Sequence, residues 1–305
     1  MKNTPTIDLA AIRRFENLEF LAKQLVAGFI TGLHQSPYHG FSVEFSEHRL
    51  YNSGESTRHI DWKVFARTDK LFVKRYEEET NLRCHLLLDV SPSMYYPVET
   101  YGKVAFSALS AAALAVMLQK QRDAVGLVTF SDKILLQTPV KSTSTHLHTL
   151  LLNLQQVLSQ PTTTKTTETA TVIHQIAQQI PKRSLVIIFS DMLGRDNDTT
   201  SVFAALQHLK HQNHEVLLFH VMDKRTEEQF DFAERPYIFV DVETGEEVKL
   251  QPSQVKAQYQ AAINQFKQEL ALKCGQYKID FIPVDISEPF DKVLQSYLIK
   301  RAKVR

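Results

Sequence analysis

Leu86-Leu87-Leu88-Asp89-Val90-Ser91-Pro92-Ser93 places one carboxylate and two hydroxyls, in a D-x-S-x-S spacing, at the mouth of a short apolar run. A short uninterrupted run of this kind reads as a buried strand of a parallel sheet. The oxygens that follow it are hard-cation ligands on a loop that can wrap an ion. Mg²⁺ prefers octahedral oxygen coordination, keeps several waters and takes one or two carboxylates from a protein. Taken alone the spacing is weak, because Asp and Ser also serve as turn and helix-capping residues. Its position favours metal: it follows an apolar strand, precedes the Ala-rich run Val104 to Leu118, and Asp191 follows a second apolar run, Leu185 to Ser190.

Outward from that stretch, short apolar runs alternate with helical periodicity. Strands are expected at His85 to Asp89, Ala124 to Phe130, Ile134 to Thr138, Leu185 to Ser190, Glu215 to Val221 and Ile279 to Val284. Between them fall helices at Tyr101 to Lys120, His146 to Leu158, Glu168 to Ile180, Val202 to His211 and Ser253 to Lys273, and a last one runs to about Arg301. The alternation predicts an α/β fold, a mostly parallel sheet flanked by helices. A hairpin turning at Gly245 is expected over Tyr237 to Leu250. Ahead of all this, Ile12, Phe15, Leu18, Leu21, Leu25, Phe29 and Leu33 recur at helical spacing from Asp8 to His34, and Pro37 and Gly40 end the helix. Short strands follow at Phe41 to Ser46 and Leu71 to Tyr76. The division expected is therefore an N-terminal helix and small β-sheet region over 1–80, packed on a main domain over 81–305.

Composition removes several function classes. The 305 residues carry a net charge of +1, so no long-range attraction to nucleic acid or an anionic membrane operates. Arg58, Arg67, Lys74 and Arg75 are diluted by Asp61, Asp69 and Glu77 to Glu79, which ranks nucleic acid last among partners. Cys84 and Cys274 lie far apart and read as free buried thiols in a reducing compartment. No run approaches the roughly 20 apolar residues of a membrane span. Val104 to Leu118, interrupted by Ser107 and Ser110, reads as a core helix. A cytoplasmic protein without a membrane span is expected.

In open α/β sheets ligands bind at the carboxyl ends of strands. Asp89, Ser91 and Ser93 leave the first strand there, Asp191 leaves another, and the Thr-rich loop Thr162 to Thr167 precedes a helix. This arrangement resembles a von Willebrand factor type A domain with its metal-ion-dependent adhesion site (MIDAS). The resemblance implies that Ser91 and Ser93 ligate Mg²⁺ or Mn²⁺ through hydroxyls, that Asp89 and Asp191 act largely through bound water, and that a Thr completes the set. Counting back from Ile173-His174-Gln175 favours Thr167, with Thr166 next; the glycine that commonly accompanies this Thr is absent.

Arg49-Leu50-Tyr51, Gly54-Glu55, Arg58-His59-Ile60-Asp61-Trp62-Lys63, Ala66-Arg67-Thr68 and Phe72 to Glu79, with Tyr297 to Arg301, resemble one branch of that superfamily, the bacterial "domain of unknown function 58" proteins. The similarity spans nearly the whole chain. Such proteins are commonly encoded beside MoxR-type AAA+ ATPases and have no established enzymatic activity. What the resemblance implies is a non-enzymatic, metal-dependent interaction module, an adaptor for such an ATPase and its client, binding a partner carboxylate through the ion. The enzyme alternative is a metal-dependent hydrolase or phosphoryl-transfer enzyme using Asp89 and Asp191. It lacks a G-x-x-x-x-G-K-[ST] loop, an H-E-x-x-H pair and a G-x-S-x-G context. Elsewhere the blander readings hold: an ion-paired clasp around Trp62, packed or hydrogen-bonded His59 and His174, and a solvated charged insert from Asp223 to Glu234.

Overall fold

The computed structural model describes residues 17–34, 48–50, 65–67, 72–74, 82–100, 102–159, 169–193, 199–241, 245–290 and 293–298. In chain order the elements are α1 (Leu18–His34), β1 (His48–Leu50), β2 (Phe72–Lys74), β3 (Arg83–Asp89), α2 (Gly102–Lys120), β4 (Ala124–Phe130), β5 (Ile134–Gln137), α3 (Ser144–Ser159) and α4 (Thr169–Gln179). There follow β6 (Leu185–Ser190), α5 (Thr199–His211), β7 (Glu215–Met222), β8 (Tyr237–Val240), β9 (Glu247–Leu250), α6 (Pro252–Gln276) and β10 (Asp280–Asp285). Two compact units result, Met1–Phe29 with Leu82–Arg305, and Ile30–Asn81.

The larger unit holds a six-stranded sheet in the order β10-β7-β6-β3-β4-β5. Only β5 is antiparallel to its neighbour. Three residues, Ser131 to Lys133, separate β4 from β5, too few for the crossover of a dozen or more that a parallel pair requires. The four inner strands, β7, β6, β3 and β4, are buried along every residue or every residue but the first, as strands covered on both faces are. Alternation sends Leu87, Val186, Ile188, Val216 and Leu218 into one core layer, where they meet Ile173 and Ile176 of α4, Leu206 and Leu209 of α5, and Leu270 of α6. The opposite face carries α2, every residue of which from Gly102 to Leu118 is buried. By length and composition α2 is apolar enough to cross a membrane, yet 94% of its most apolar window is buried inside this fold. Cys84 and Cys274 are both buried, and burial pushes the Cys274 thiol up to about 12.

Grouping α1 with the small β region does not describe its first turns, because Leu18–Phe29 belongs to the α/β unit. Its buried stripe, Leu18, Ala22, Val26 and Phe29, is accompanied by two contacts to α3. The Leu18 amide donates to Gln155 Oε1 (3.0 Å), and Glu19 pairs with His148 (2.8 Å). In the smaller unit β1 and β2 pair antiparallel, with Arg49 opposite Val73, and residues 65–67 form a helical turn. The strand expected over Phe41 to Ser46, Arg58, His59, Trp62 and the Glu77 to Glu79 run lie outside the described residues.

The Asp223 to Glu234 insert is not a solvated loop. Asp223 caps a turn over Lys224–Glu228, and Asp223, Thr226 and Phe230 are buried. Phe230 packs among Phe232, Phe239 and Tyr259, so the two phenylalanines that interrupt the polarity of the insert anchor it beneath the β8–β9 hairpin.

Gly102 opens α2 where a Cβ would stand 2.7 Å from Ile286 Cδ1 and 2.9 Å from Pro97 Cδ. Ile286 can rotate away, whereas the proline ring cannot. Gly102→Ala is therefore expected to destabilise the protein by about 1–3 kcal/mol, the ordinary cost of overpacking, despite the better helix propensity of Ala. An unchanged or raised melting temperature would refute the clash.

Candidate metal site

β3 and β6 are neighbours whose following segments leave for opposite faces of the sheet: the chain after β3 enters α2, and the chain after β6 leads to α5 on the other layer. This is a topological switch point, where α/β sheets open a crevice at their carboxyl edge. Asp89 ends β3, and Ser190-Asp191 ends β6. Leu88 is in register with Phe189, which brings Asp89 beside Ser190. The Ser190 hydroxyl donates to Asp89 Oδ2 (2.6 Å), and the Ser91 amide donates to Asp89 Oδ1 (2.9 Å). Ser91 and Ser93 then stand with their hydroxyl oxygens 3.1 Å apart. Asp89, Ser91 and Asp191 are wholly buried and Ser93 half-buried. Four of the five sequence-derived residues thus converge at one strand edge. Thr167, Thr166 and the rest of the Thr162 to Thr167 loop lie outside the described residues. The first residue described after them, Thr169, is buried, and its hydroxyl has no partner among the described residues.

Met192 follows Asp191 with φ +53°, a left-handed conformation that costs a side-chain-bearing residue on the order of 1–2 kcal/mol. Such strain collects at functional sites. Here it lets the Met192 amide reach Ser190 Oγ (2.9 Å) while the Leu193 amide reaches Asp191 Oδ1 (3.1 Å). Burial first, and the Asp191 charge second, push the Asp89 carboxyl up to about 7.

The unforeseen member is Lys103. Its ammonium, with no exposure, donates to Asp191 Oδ2 (2.8 Å) and to Glu227 Oε1. Burial alone would favour the neutral amine, but the Asp191 and Glu227 carboxylates outweigh it and hold the pKa above the usual lysine value. Burial raises Glu227, and Lys103 opposes that. A lysine in the first turn of an Ala-rich helix carries no sequence signal of this role. Glu227, amid a charged run, carries none either.

The donor set fits a hard cation. Asp89, Asp191, Glu227 and Lys103 leave an excess of negative charge at the strand edge, and Asp89 accepts from neutral donors, the Ser190 hydroxyl and Ser91. A cation offsets such buried like charges. Among the described residues no group of three His, Cys, Asp or Glu side chains could hold a metal, so the set depends on hydroxyl oxygens.

His220 Nε2 donates to the Asp191 carbonyl (2.9 Å), which fixes its tautomer; burial pushes it down to about 4. His85 in β3 is also pushed down to about 4, by burial, then by His214 and Arg83. Unfolded, both imidazoles take a proton near 6.5. Between the two values the unfolded chain holds more protons, so these histidines remove stability as pH falls from about 6.5 to about 4 and none above 6.5. Asp89 acts with the opposite sign, its raised value favouring the fold as pH falls below about 7. His85→Gln is expected to spare up to about 3 kcal/mol of the acid loss. Urea midpoints at pH 6.5 and 4 that decline equally in both proteins would exclude this.

Residues 47–269 match the family described as "Protein of unknown function DUF58". The chain belongs to the DUF58 family. This DUF58 protein is 27% identical over 237 residues to uncharacterized protein Mb1516 of Mycobacterium bovis and to uncharacterized protein Rv1480 of Mycobacterium tuberculosis, covering 78% of this chain and 72% of each relative. Among solved structures, the conserved hypothetical protein BatB from Bacteroides thetaiotaomicron is similar at 15% identity and a TM-score of 0.41, over 73% of this chain and 99% of that one. The SpRpn10 VWA domain is similar at 12% identity and 0.38, over 70% and 94%. The α/β class of this DUF58 protein, a mostly parallel sheet flanked by helices, stands on its own sheet order.

Proposed function

We propose that this protein is a non-enzymatic interaction module in which Asp89, Ser91, Ser93, Asp191 and Thr167 hold one Mg²⁺ or Mn²⁺ ion for a partner's carboxylate. The supporting observation is the meeting of Asp89 and Asp191, both wholly buried, beside the paired Ser91 and Ser93 hydroxyls at the switch point of the sheet. When bound, the ion supplies an electrophilic position that an incoming carboxylate can occupy. Ser190 orients Asp89, the Leu193 amide and Lys103 orient Asp191, and the central strands make the platform rigid. The partner proposed is a MoxR-type AAA+ ATPase with its client, on the family resemblance alone.

Calorimetry is expected to find a single Mg²⁺ or Mn²⁺ site in the wild type, lost in Ser91→Ala/Ser93→Ala with the fold retained. Wild type that binds neither ion would end the proposal. Mg²⁺-dependent turnover of phosphate esters that disappears in Asp191→Ala would favour the hydrolase or phosphoryl-transfer alternative instead.

A further inference from the structure

We infer that Lys103 is a positioning residue that couples the ion site to the Lys224–Glu228 turn, so that ion occupancy changes the surface this turn offers to a partner. The inference rests on the ion-site reading proposed above and assigns that site a regulated output. Three elements meet at one ammonium. Asp191 comes from the end of β6, Lys103 from the first turn of α2, and Glu227 from the turn after β7. Glu227 then passes the connection on: its Oε2 accepts from the Asp223 amide (2.8 Å). Asp223 holds the turn in shape by accepting from the Arg225 amide (3.2 Å) and the Thr226 hydroxyl (2.8 Å). An unbroken hydrogen-bonded relay therefore runs from Asp191 through Lys103 and Glu227 to Asp223.

A cation drawn to Asp191 competes with the ammonium for the same carboxylate, and the two positive charges repel. Lysine is a compact charge on a flexible stem, able to move where a planar guanidinium would resist. Its remaining anchor is Glu227. Displacement toward Glu227 loads the carboxylate that holds Asp223, and with it the turn. That turn carries Lys224 and Arg225, both exposed, on the rim of a cavity of about 400 Å³ that Gln229, Asp285 and Ser287 also line. Occupancy at the strand edge thereby reaches a second surface, where Lys224 and Arg225 stand beside Asp223 and Asp285.

Hydrogen exchange of the amides from Asp223 to Gln229, measured on the full chain with and without Mg²⁺, tests the coupling. In the wild type Mg²⁺ is expected to change their exchange by about fivefold or more, the lower range of ordinary site-to-site coupling. Glu227→Gln leaves Lys103 bonded to Asp191 but removes one negative charge and the ammonium's second anchor, so calorimetric Mg²⁺ affinity falls, and at saturating Mg²⁺ the Mg²⁺-dependent change in exchange disappears. Lys103→Arg keeps the charge and restores part of the response, which Lys103→Met loses. A purely structural Glu227 would raise exchange equally with and without the ion, leaving the Mg²⁺-dependent difference intact in Glu227→Gln, and that result overturns the coupling. Unchanged exchange in a wild type that binds Mg²⁺ overturns it as well. Absence of Mg²⁺ binding to the wild type removes the ion site itself, and the coupling with it.

Discussion

Asp89→Asn is expected to make the ion-free protein more stable at pH 8 and to abolish its stabilisation by Mg²⁺. Asp89 is wholly buried, bonded to an amide and a hydroxyl, and faces the charge of Asp191. Its carboxyl, raised from 3.8 to about 7, favours the fold fully below pH 3.8 and loses that contribution as pH rises through about 7. At pH 8 the penalty of the ionised form is complete, and the rise from 3.8 to about 7 sets its ceiling near 4 kcal/mol. Asparagine keeps an acceptor for the Ser91 amide and removes the charge. Two to three kcal/mol of gain in urea unfolding with EDTA is a reasonable scale, because the neighbouring dipoles relax in part. The wild type should recover the difference with Mg²⁺ present, since a ligand at 100 times its Kd stabilises by about 2.7 kcal/mol. The variant should not respond. A variant several kcal/mol less stable than wild type in EDTA would mean that Asp89 is a structural carboxylate whose hydrogen bonds outweigh its burial.

Such an exchange of stability for a charged site explains why the carboxylates were visible in the sequence and their counter-ion was not. Asp89 and Asp191 each end an apolar run, and a charge at that boundary stands out against the period of a buried strand. The same contrast made β3, β4, β6 and β7 legible to within a residue or two. Lys103 sits in a helix whose neighbours are Val, Ala and Phe, where a lysine reads as one solvent-facing residue; full burial of α2 is a property of the layers on either side of it. Glu227 is one of several charges in the Asp223 to Glu234 run, and only the turn capped by Asp223 selects it. The position of α1 escaped for the same reason: its stripe, clear in sequence, does not say which unit it faces. Side-chain contacts across the switch point depend on strand order, which local periodicity does not encode.

The Lys103→Met variant should lose several kcal/mol of stability in the ion-free protein, about 3–5 kcal/mol. Methionine fills most of the space of the lysine stem, so the transfer and cavity costs are small. What remains is electrostatic: Asp191, wholly buried, and Glu227, nearly so, lose their common cation and face each other. Breaking a buried ion pair from one side costs about 3–5 kcal/mol, because the abandoned charge cannot be solvated. Lys103→Met/Glu227→Gln should recover part of that loss and Lys103→Met/Glu227→Gln/Asp191→Asn most of it, since replacing every charge by a neutral group of similar shape removes the unpaired carboxylates. Urea unfolding of the series separates this from packing, for which the double and triple variants would be no better than the single. Mg²⁺ adds a second discriminator: it should restore part of the stability of Lys103→Met, where Asp191 is still charged, and none in the triple variant. Equal Mg²⁺ effects on both would mean that the ion acts away from Asp191, and the site would have to be sought elsewhere on the sheet edge.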